Sequence, residues 1–267
     1  KQGCTFEEAL KKAQELGFAE AEPSLDIDGH DTAHKLAILN ALAHGMAINL
    51  SDIHVEGIRG ITPMDIEFAR SFGYTIKLLA IGKRHKDHVE ARVHPTMIDT
   101  ANPLSHVDHS MNAIAIDADA TGKTMLYGHG AGMMPTASAV LSDIADIARN
   151  IISNTTGRVP ILGYPKENIR HIPILPMDEL MTRYYLRFEA QDHPGVLSRI
   201  SGILGENKIS INSVHQQGRN ANGAVPVVMI THIAKEAWIQ RALSRITATD
   251  CVVKPPMVIR IEDEVAP

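Results

Sequence analysis

Apolar residues recur at helical spacing near the start of the chain. Phe6, Leu10, Ala13 and Leu16 lie three or four apart, Thr5 and Glu8 have the spacing of a capping box, and Gly17 stands where a C-terminal cap belongs. The pattern predicts a helix over residues 6–16. An acidic, turn-rich stretch follows over 20–29, and a second helix opens near Asp31, with Leu36, Leu39, Leu42 and Ala43 facing a core. Thr62, Pro63, Met64 and Asp65 start a third helix, because proline suits a first turn, and Gly73 ends it. The period then shortens to that of strands over 76–81, 89–93, 111–116 and 123–127. A long helix over 136–152 follows glycines 128, 130 and 132. Helices before strands, with one more helix after them, predict an α+β fold with a mixed or antiparallel sheet.

Over residues 158–176 the character changes, since Pro160, Pro165, Pro173 and Pro176 prevent a continuous helix or a central strand. Beyond them Tyr184, Leu186, Phe188 and Ala190 alternate as a strand, and Val196, Leu197, Ile200, Ile203 and Leu204 mark one face of a helix. Strands at 209–214 and 225–231 flank a loop at 218–223; Ile239, Ala242, Leu243 and Ile246 face one side of a helix, and 257–261 closes as a strand. This βαββαβ order is that of a ferredoxin-like split βαβ unit. The expected division is 1–157, a proline-rich linker at 158–178, and 179–267.

Composition narrows the function classes. The 267 residues are 44% hydrophobic and 21% charged, a globular balance, with a formal net charge of -5. No basic run offers a footprint for nucleic acid, and no apolar stretch is long enough for a membrane span. Cys4 and Cys251 lie at opposite ends, which argues against a disulfide scaffold and for a reducing, cytoplasmic setting. The chain starts at Lys1 without a signal-peptide pattern, and this leads us to expect sequence upstream.

Three groups of residues could carry chemistry. Glu20, Glu22, Asp26, Asp28 and Asp31 precede Lys35, and residues 31 and 35 fall one turn apart on the second helix. A lysine so placed can be partly desolvated and tuned to exchange a proton with a substrate hydroxyl, while the other acids receive an ammonium group. The plainer reading is a surface salt bridge worth roughly a few tenths of a kcal/mol. Gly128, Gly130 and Gly132 stand between a strand and a helix, where glycine permits close approach to a ligand; Met133, Met134 and Pro135 intervene, and no Rossmann unit follows. A tight turn with a packed helix explains them equally well. Asp192, His193, Pro194 and Gly195 open a helix, with Asp192 and Pro194 suited to its start, or form a small-ligand site there. His85 with His88, and His106 with Asp108 and His109, have metal-compatible spacings but read as surface histidines, so no metal is expected.

The run over 17–36, GFAEAEPSLDIDGHDTAHKL, resembles the substrate-binding signature of homoserine dehydrogenases. Supporting stretches are Glu56-Gly57-Ile58, GYTIKLLA at 73–80, MNAI at 111–114, YGHGAG at 127–132 and PTASAV at 135–140; the βαββαβ segment, with DHPGVL at 192–197, resembles an ACT regulatory domain. The resemblance implies that Lys35 is the proton donor and acceptor at the substrate oxygen. It implies that Glu20 and Asp31 hold the amino group and orient the lysine, with Asp26 a third acid. Gly130 and Gly132 would lie at the nicotinamide end of NAD(P). The implied reaction interconverts L-homoserine and L-aspartate 4-semialdehyde in threonine and methionine biosynthesis. Asp192, Gly195 and Asn212 would meet an effector such as threonine between paired ACT domains of a homo-oligomer. Such enzymes begin with a nucleotide-binding domain whose glycine-rich loop and second lysine have no counterpart in these residues, so this chain alone is expected to be inactive. The alternative is an amino-acid-sensing, dimerising module without catalysis.

Overall fold

The computed structural model describes residues 5–15, 20–47, 49–157, 159–216 and 223–263. Cys4, Leu16, Gly17, Phe18, Ala19, Arg158 and most of the 218–223 loop lie outside the described residues. Helix α1 (Phe6–Glu15) has the expected box: Glu8 Oε2 accepts from the Thr5 amide at 2.8 Å and Thr5 Oγ1 accepts from the Glu8 amide at 3.2 Å. Its described residues bury nothing, so Phe6 and Leu10 form no core face here. One turn of helix, α2 (Ser24–Ile27), leads into α3 (His30–His44). The inward face of α3 is Ala33, Leu36 and Asn40; Leu42 and Ala43, expected inside, are exposed because the stripe follows the 33, 36, 40 row. After β1 (His54–Val55) comes α4 (Pro63–Ser71), capped by the reciprocal pair Thr62 and Asp65.

Strands β2 (Tyr74–Arg84) and β3 (Val89–Asp99) form an antiparallel pair along eleven residues. The expected strand at 89–93 continues through Pro95 for a local reason. On its other side β3 pairs with β1 at residues 92–93 and with a late strand at 96–98, so Pro95 falls between partners, where no ladder donor is needed. Strands β4 (Met111–Ala118) and β5 (Gly122–His129) form a separate two-stranded hairpin, followed by α5 (Met133–Ile152). No residue of α5 is buried, and Val140, Leu141, Ile144 and Ile147 stand exposed along it.

The second half contains β6 (Met181–Gln191), α6 (Val196–Glu206), β7 (Ile211–Gln216), β8 (Ala224–Thr231), β9 (Ala234–Lys235), α7 (Glu236–Thr247) and β10 (Met257–Glu262). Strands β10, β6, β8 and β7 lie side by side, all antiparallel, as a split βαβ unit requires. The far edge of β10 pairs in parallel with β3, Arg260 opposite Thr96, so a single mixed sheet runs through both halves. The outer edge of β10 is thereby occupied within the chain. Helices α6 and α7 cover one face through Leu186, Phe188, Ile200, Leu204, Ile239 and Ile246. On the other face α4 packs Phe68 and Ala69 against Met97, Tyr185, Val228, Ile230 and Ile259. Coverage on both sides is why residues 184–188 of β6 are all buried instead of alternating. On α6 the buried stripe is Val196, Ile200, Ile203 and Leu204, while Leu197, expected within it, is exposed.

Among its described residues the proline-rich segment forms no α-helix and no central strand; it has a short 3-10 turn over Lys166–Asn168 and is stitched to the body. Arg170 donates its amide to the Gly45 carbonyl at 2.9 Å, and the Val89 amide and carbonyl bond to Pro173 and Leu175 at 2.9 Å each. No helix among the described residues is long and apolar enough to cross a membrane.

Candidate functional site

The acidic stretch folds into a tight unit. The Asp28 amide bonds to the Ser24 carbonyl at 2.9 Å, closing α2, and Gly29 turns the chain at φ +85° into α3. A Cβ at Gly29 would stand 3.2 Å from Val55 Cγ1 and from Val93 Cγ1 and 3.4 Å from the Glu56 carbonyl oxygen, so the start of α3 is pressed against β1 and β3. One turn later Lys35 Nζ lies 2.6 Å from Asp31 Oδ2. The predicted pair therefore forms. The partial desolvation expected of the lysine does not, since its side chain is 58% exposed. Helix α3 buries its opposite face through Ala33 and Leu36, which turns residues 31 and 35 outward.

Asp26 lies on α2 within the same unit, and Glu20 precedes it, its backbone carbonyl accepting from Gln14 Nε2 at 2.9 Å. The carboxylates of Glu20 and Asp26 make no hydrogen bond or ion pair among the described residues, which leaves them open to a ligand's cation. Asp28, by contrast, is engaged: Arg59 Nε and Nη2 donate to it at 2.6 and 3.1 Å, and Arg59 lowers its pKa first through these hydrogen bonds. Glu22 is held to Ser24, whose hydroxyl and amide lower the carboxyl's pKa.

Residue spacing does not suggest a second ionic arrangement, built on the buried Arg260 and Glu236 and the partly exposed Glu56. Arg260 on β10 donates to both carboxylate oxygens of Glu56 at 2.8 and 2.9 Å and to both of Glu236 at 2.9 and 2.7 Å. Tyr184 completes it, its hydroxyl donating to Glu236 Oε2 at 2.9 Å. Burial opposes ionisation of Glu56, but hydrogen bonds from His54 and Arg260 outweigh it and hold the carboxyl well below the usual range. On the other face Arg187 donates to Asp65 at 2.7 and 3.0 Å, joined by the Tyr185 hydroxyl at 3.0 Å. His94, buried on β3 with Nε2 unpartnered, is pushed down to about 3 by burial and by the Arg260 and Arg92 charges.

The glycine segment begins at the end of β5. Helix α5 starts at Met133, so Met133, Met134 and Pro135 are its first turn and do not separate it from the glycines as expected. A Cβ at Gly130 would fall 2.2 Å from Asn112 Nδ2, and Gly132 takes φ +121° before the helix. No hydrogen bond or ion pair among the described residues joins Gly130 or Gly132 to Glu20, Asp26, Asp31 or Lys35.

A cavity of about 360 Å³ opens where β6 meets α6. Asp192 and Gly195 line it, with Gln191, His193, Gln216 and Val227. Gly195, at φ +93°, caps α6 with no side-chain bond, so Asp192 does not fill the capping role expected of it. Asn212 sits at an irregularity of the β7–β8 ladder, exposed, and does not line this cavity. No sequence signal marks Gln216, because only the folded β7 brings it to the β6 end.

Among the described residues no group of three or more His, Cys, Asp or Glu could hold a metal ion; His85 stacks on His88 at 4.6 Å and bonds to Glu90.

An acid-rich turn presenting an i, i+4 carboxylate–lysine pair is joined through one sheet to a βαββαβ unit with a cavity at its first strand-to-helix junction. Comparison with protein families makes this specific: residues 1–145 match Homoserine dehydrogenase and residues 184–248 match the ACT domain. The chain belongs to the homoserine dehydrogenase family. It is 44% identical over 260 residues to a homoserine dehydrogenase of Neisseria gonorrhoeae, covering 97% of this chain and 60% of that protein. One from Helicobacter pylori is also 44% identical, over 263 residues, with 98% and 61% covered. Among solved structures, a homoserine dehydrogenase from Thiobacillus denitrificans superposes with a TM-score of 0.90 at 42% identity, covering 98% of this chain and 59% of that one. The Staphylococcus aureus enzyme at pH 6.0 gives 0.70 at 30% identity, with 98% and 60% covered. The chain thus spans about three-fifths of the length of the relatives it matches.

Proposed function

We propose that the chain carries the substrate-binding and regulatory parts of a homoserine dehydrogenase, with Lys35 as the acid/base group for interconversion of L-homoserine and L-aspartate 4-semialdehyde. The observation that carries this reading is the 2.6 Å Lys35–Asp31 pair, which faces outward from the helix that directly follows the acid-rich stretch carrying Glu20 and Asp26. Glu20, Asp26 and Asp31 balance the substrate ammonium. Asp31 also fixes the Lys35 rotamer, so that Nζ takes the hydroxyl proton during oxidation and returns it in reverse. NAD(P), when bound, accepts the hydride. Gly130 and Gly132 suit its nicotinamide end because they present backbone, without side chains, at an exposed helix start. In this reading the rest of the dinucleotide is held by sequence outside these residues, and the chain alone binds homoserine without oxidising it. The cavity at Asp192 and Gly195 takes an amino-acid effector, with threonine the first to test. Self-association fits the apolar side chains exposed on β4, β5 and α5.

The decisive experiment is homoserine-dependent NADP reduction by the protein supplied with its cofactor domain, as wild type and as Lys35→Ala. The variant should lose roughly 10²–10⁴-fold in kcat. Retention of most activity would remove Lys35 from the chemistry. One observation favours the alternative of a sensing module without catalysis: Asp192 and Gly195 already line a cavity of about 360 Å³ within this chain, whereas Lys35 stands open. Calorimetric titration separates the two, since a sensing module binds threonine and not homoserine.

A further inference from the structure

The segment 56–65 connects β1 to the first turn of α4, and the structure grips it at three places. At its start Glu56 takes both ends of the Arg260 guanidinium at 2.8 and 2.9 Å. At its end Asp65, fully buried, takes Arg187 at 2.7 and 3.0 Å and Tyr185 at 3.0 Å, while Thr62 caps the helix that Asp65 begins. In its middle the Ile58 amide donates to the Ile27 carbonyl at 2.9 Å, and Arg59 forks onto Asp28. Gly57 lies so close that a Cβ there would sit 2.4 Å from the Ile27 oxygen and 2.6 Å from the Asp28 Cα. Ile27 and Asp28 immediately precede Gly29, the hinge from which α3 projects Asp31 and Lys35.

Both buried arginines belong to the regulatory half, Arg187 on β6 and Arg260 on β10, at side-chain exposures of 5% and 4%. Their carboxylate partners Glu56 and Asp65 belong to the catalytic half. A guanidinium sharing two in-plane bonds with a carboxylate fixes orientation as well as distance, which a single lysine contact would not. Packing alone would hold α4 on the sheet. It would not set the height of 57–59 against 27–28, because that stretch has no buried apolar side chain of its own.

We propose that Arg187 and Arg260 are positioning residues for the substrate site: by holding both ends of segment 56–65 they fix the 27–29 turn and, through it, the direction in which α3 presents Asp31 and Lys35. The proposal rests on the functional reading above for what that site binds, but not for the mechanical link itself. The regulatory strands thus help to build the catalytic site, in addition to carrying the effector cavity on β6.

The test is amide hydrogen exchange on this chain, followed residue by residue, for Arg187→Gln/Asp65→Asn and for Arg187→Lys. The double variant replaces the buried charges by neutral groups that still hydrogen-bond; the single one keeps the charge paired but removes the fork. Amides at 27–33 and 56–62 should exchange at least about tenfold faster in the double variant and severalfold faster with lysine, while α6 stays within about twofold. Wild-type rates at 27–33 in a folded variant overturn the proposal. If the double variant unfolds, with all amides accelerating together, Arg187→Lys decides by the same criterion. Homoserine affinity, measured by calorimetry on the same proteins, should weaken about three- to tenfold; unchanged affinity with accelerated 27–33 amides also overturns it. Failure of the wild type to bind homoserine sinks the functional reading, and the exchange rates at 27–33 then decide the link by themselves.

Discussion

The Lys35–Asp31 pair and the Arg260–Glu236 pair have nearly the same separation, 2.6 and 2.7 Å, and opposite surroundings. The first projects from a helix into solvent with its lysine 58% exposed, whereas the second lies under α7 with side chains 4% and 2% exposed. An exposed pair gains little from its Coulomb attraction, and its members stay available to a third charge. A buried pair is desolvated on both sides, so losing one partner strands the other. Charge that is easy to rearrange thus lies on α3, and charge that is not lies between β10 and α7.

The comparison can be broken by mutation. Glu236→Ala should destabilise the chain by about 3–5 kcal/mol in urea titrations, since Arg260 and the Tyr184 hydroxyl lose a buried acceptor together. A loss below about 1 kcal/mol would mean that water or Glu56 takes over. Gly57→Ala drives a methyl against the backbone of 27–28 and should cost about 1–3 kcal/mol, with a matching loss of homoserine affinity. Thr62→Ala removes the α4 cap and should cost about 1 kcal/mol. Lys35→Ala, for which the proposed function expects the largest loss of activity, should alter stability least, by under about 0.5 kcal/mol.

Acid sensitivity sharpens the same contrast. His94 has its folded pKa depressed to about 3 from 6.5, so between those values the unfolded chain binds the extra proton and stability falls as pH falls. Glu56 and Asp65, whose carboxyls are also depressed when folded, add to the loss once pH drops through their unfolded values of 4.5 and 3.8. Unfolding free energies measured from about pH 7 downward should decline already near pH 6, and His94→Gln should flatten the decline above about 4.5 while leaving the carboxylate-driven fall below it. A profile level down to about pH 5 in the wild type would contradict the burial of a neutral His94.

Much of this is legible in the sequence. The Thr62–Asp65 box, the α3 pair and the βαββαβ order depend on residues a few positions apart, and a helix or hairpin realises such relations wherever it sits. The run over 17–36, which resembles the family signature, marks the acids and Lys35 as candidates in the same local way. Local spacing misleads wherever the answer depends on what lies on the other side. It places Leu42, Ala43 and Leu197 on core faces that their helices do not present, and it makes Lys35 partly desolvated although α3 turns it outward. It also stops a strand before Pro95, whereas β3 runs on because Pro95 falls in a gap between two partners far away in sequence.

The sequence by itself therefore determined most of the elements, their family and the Asp31–Lys35 pair, because periodicity, caps and an i, i+4 spacing are short-range. Only the tertiary structure decided that β10 would pair with β3 to make one sheet of two halves, and that Arg187 and Arg260 would meet Asp65 and Glu56 across more than a hundred residues. Such pairs are fixed by where strands lie side by side, and no local pattern of residues encodes that distance.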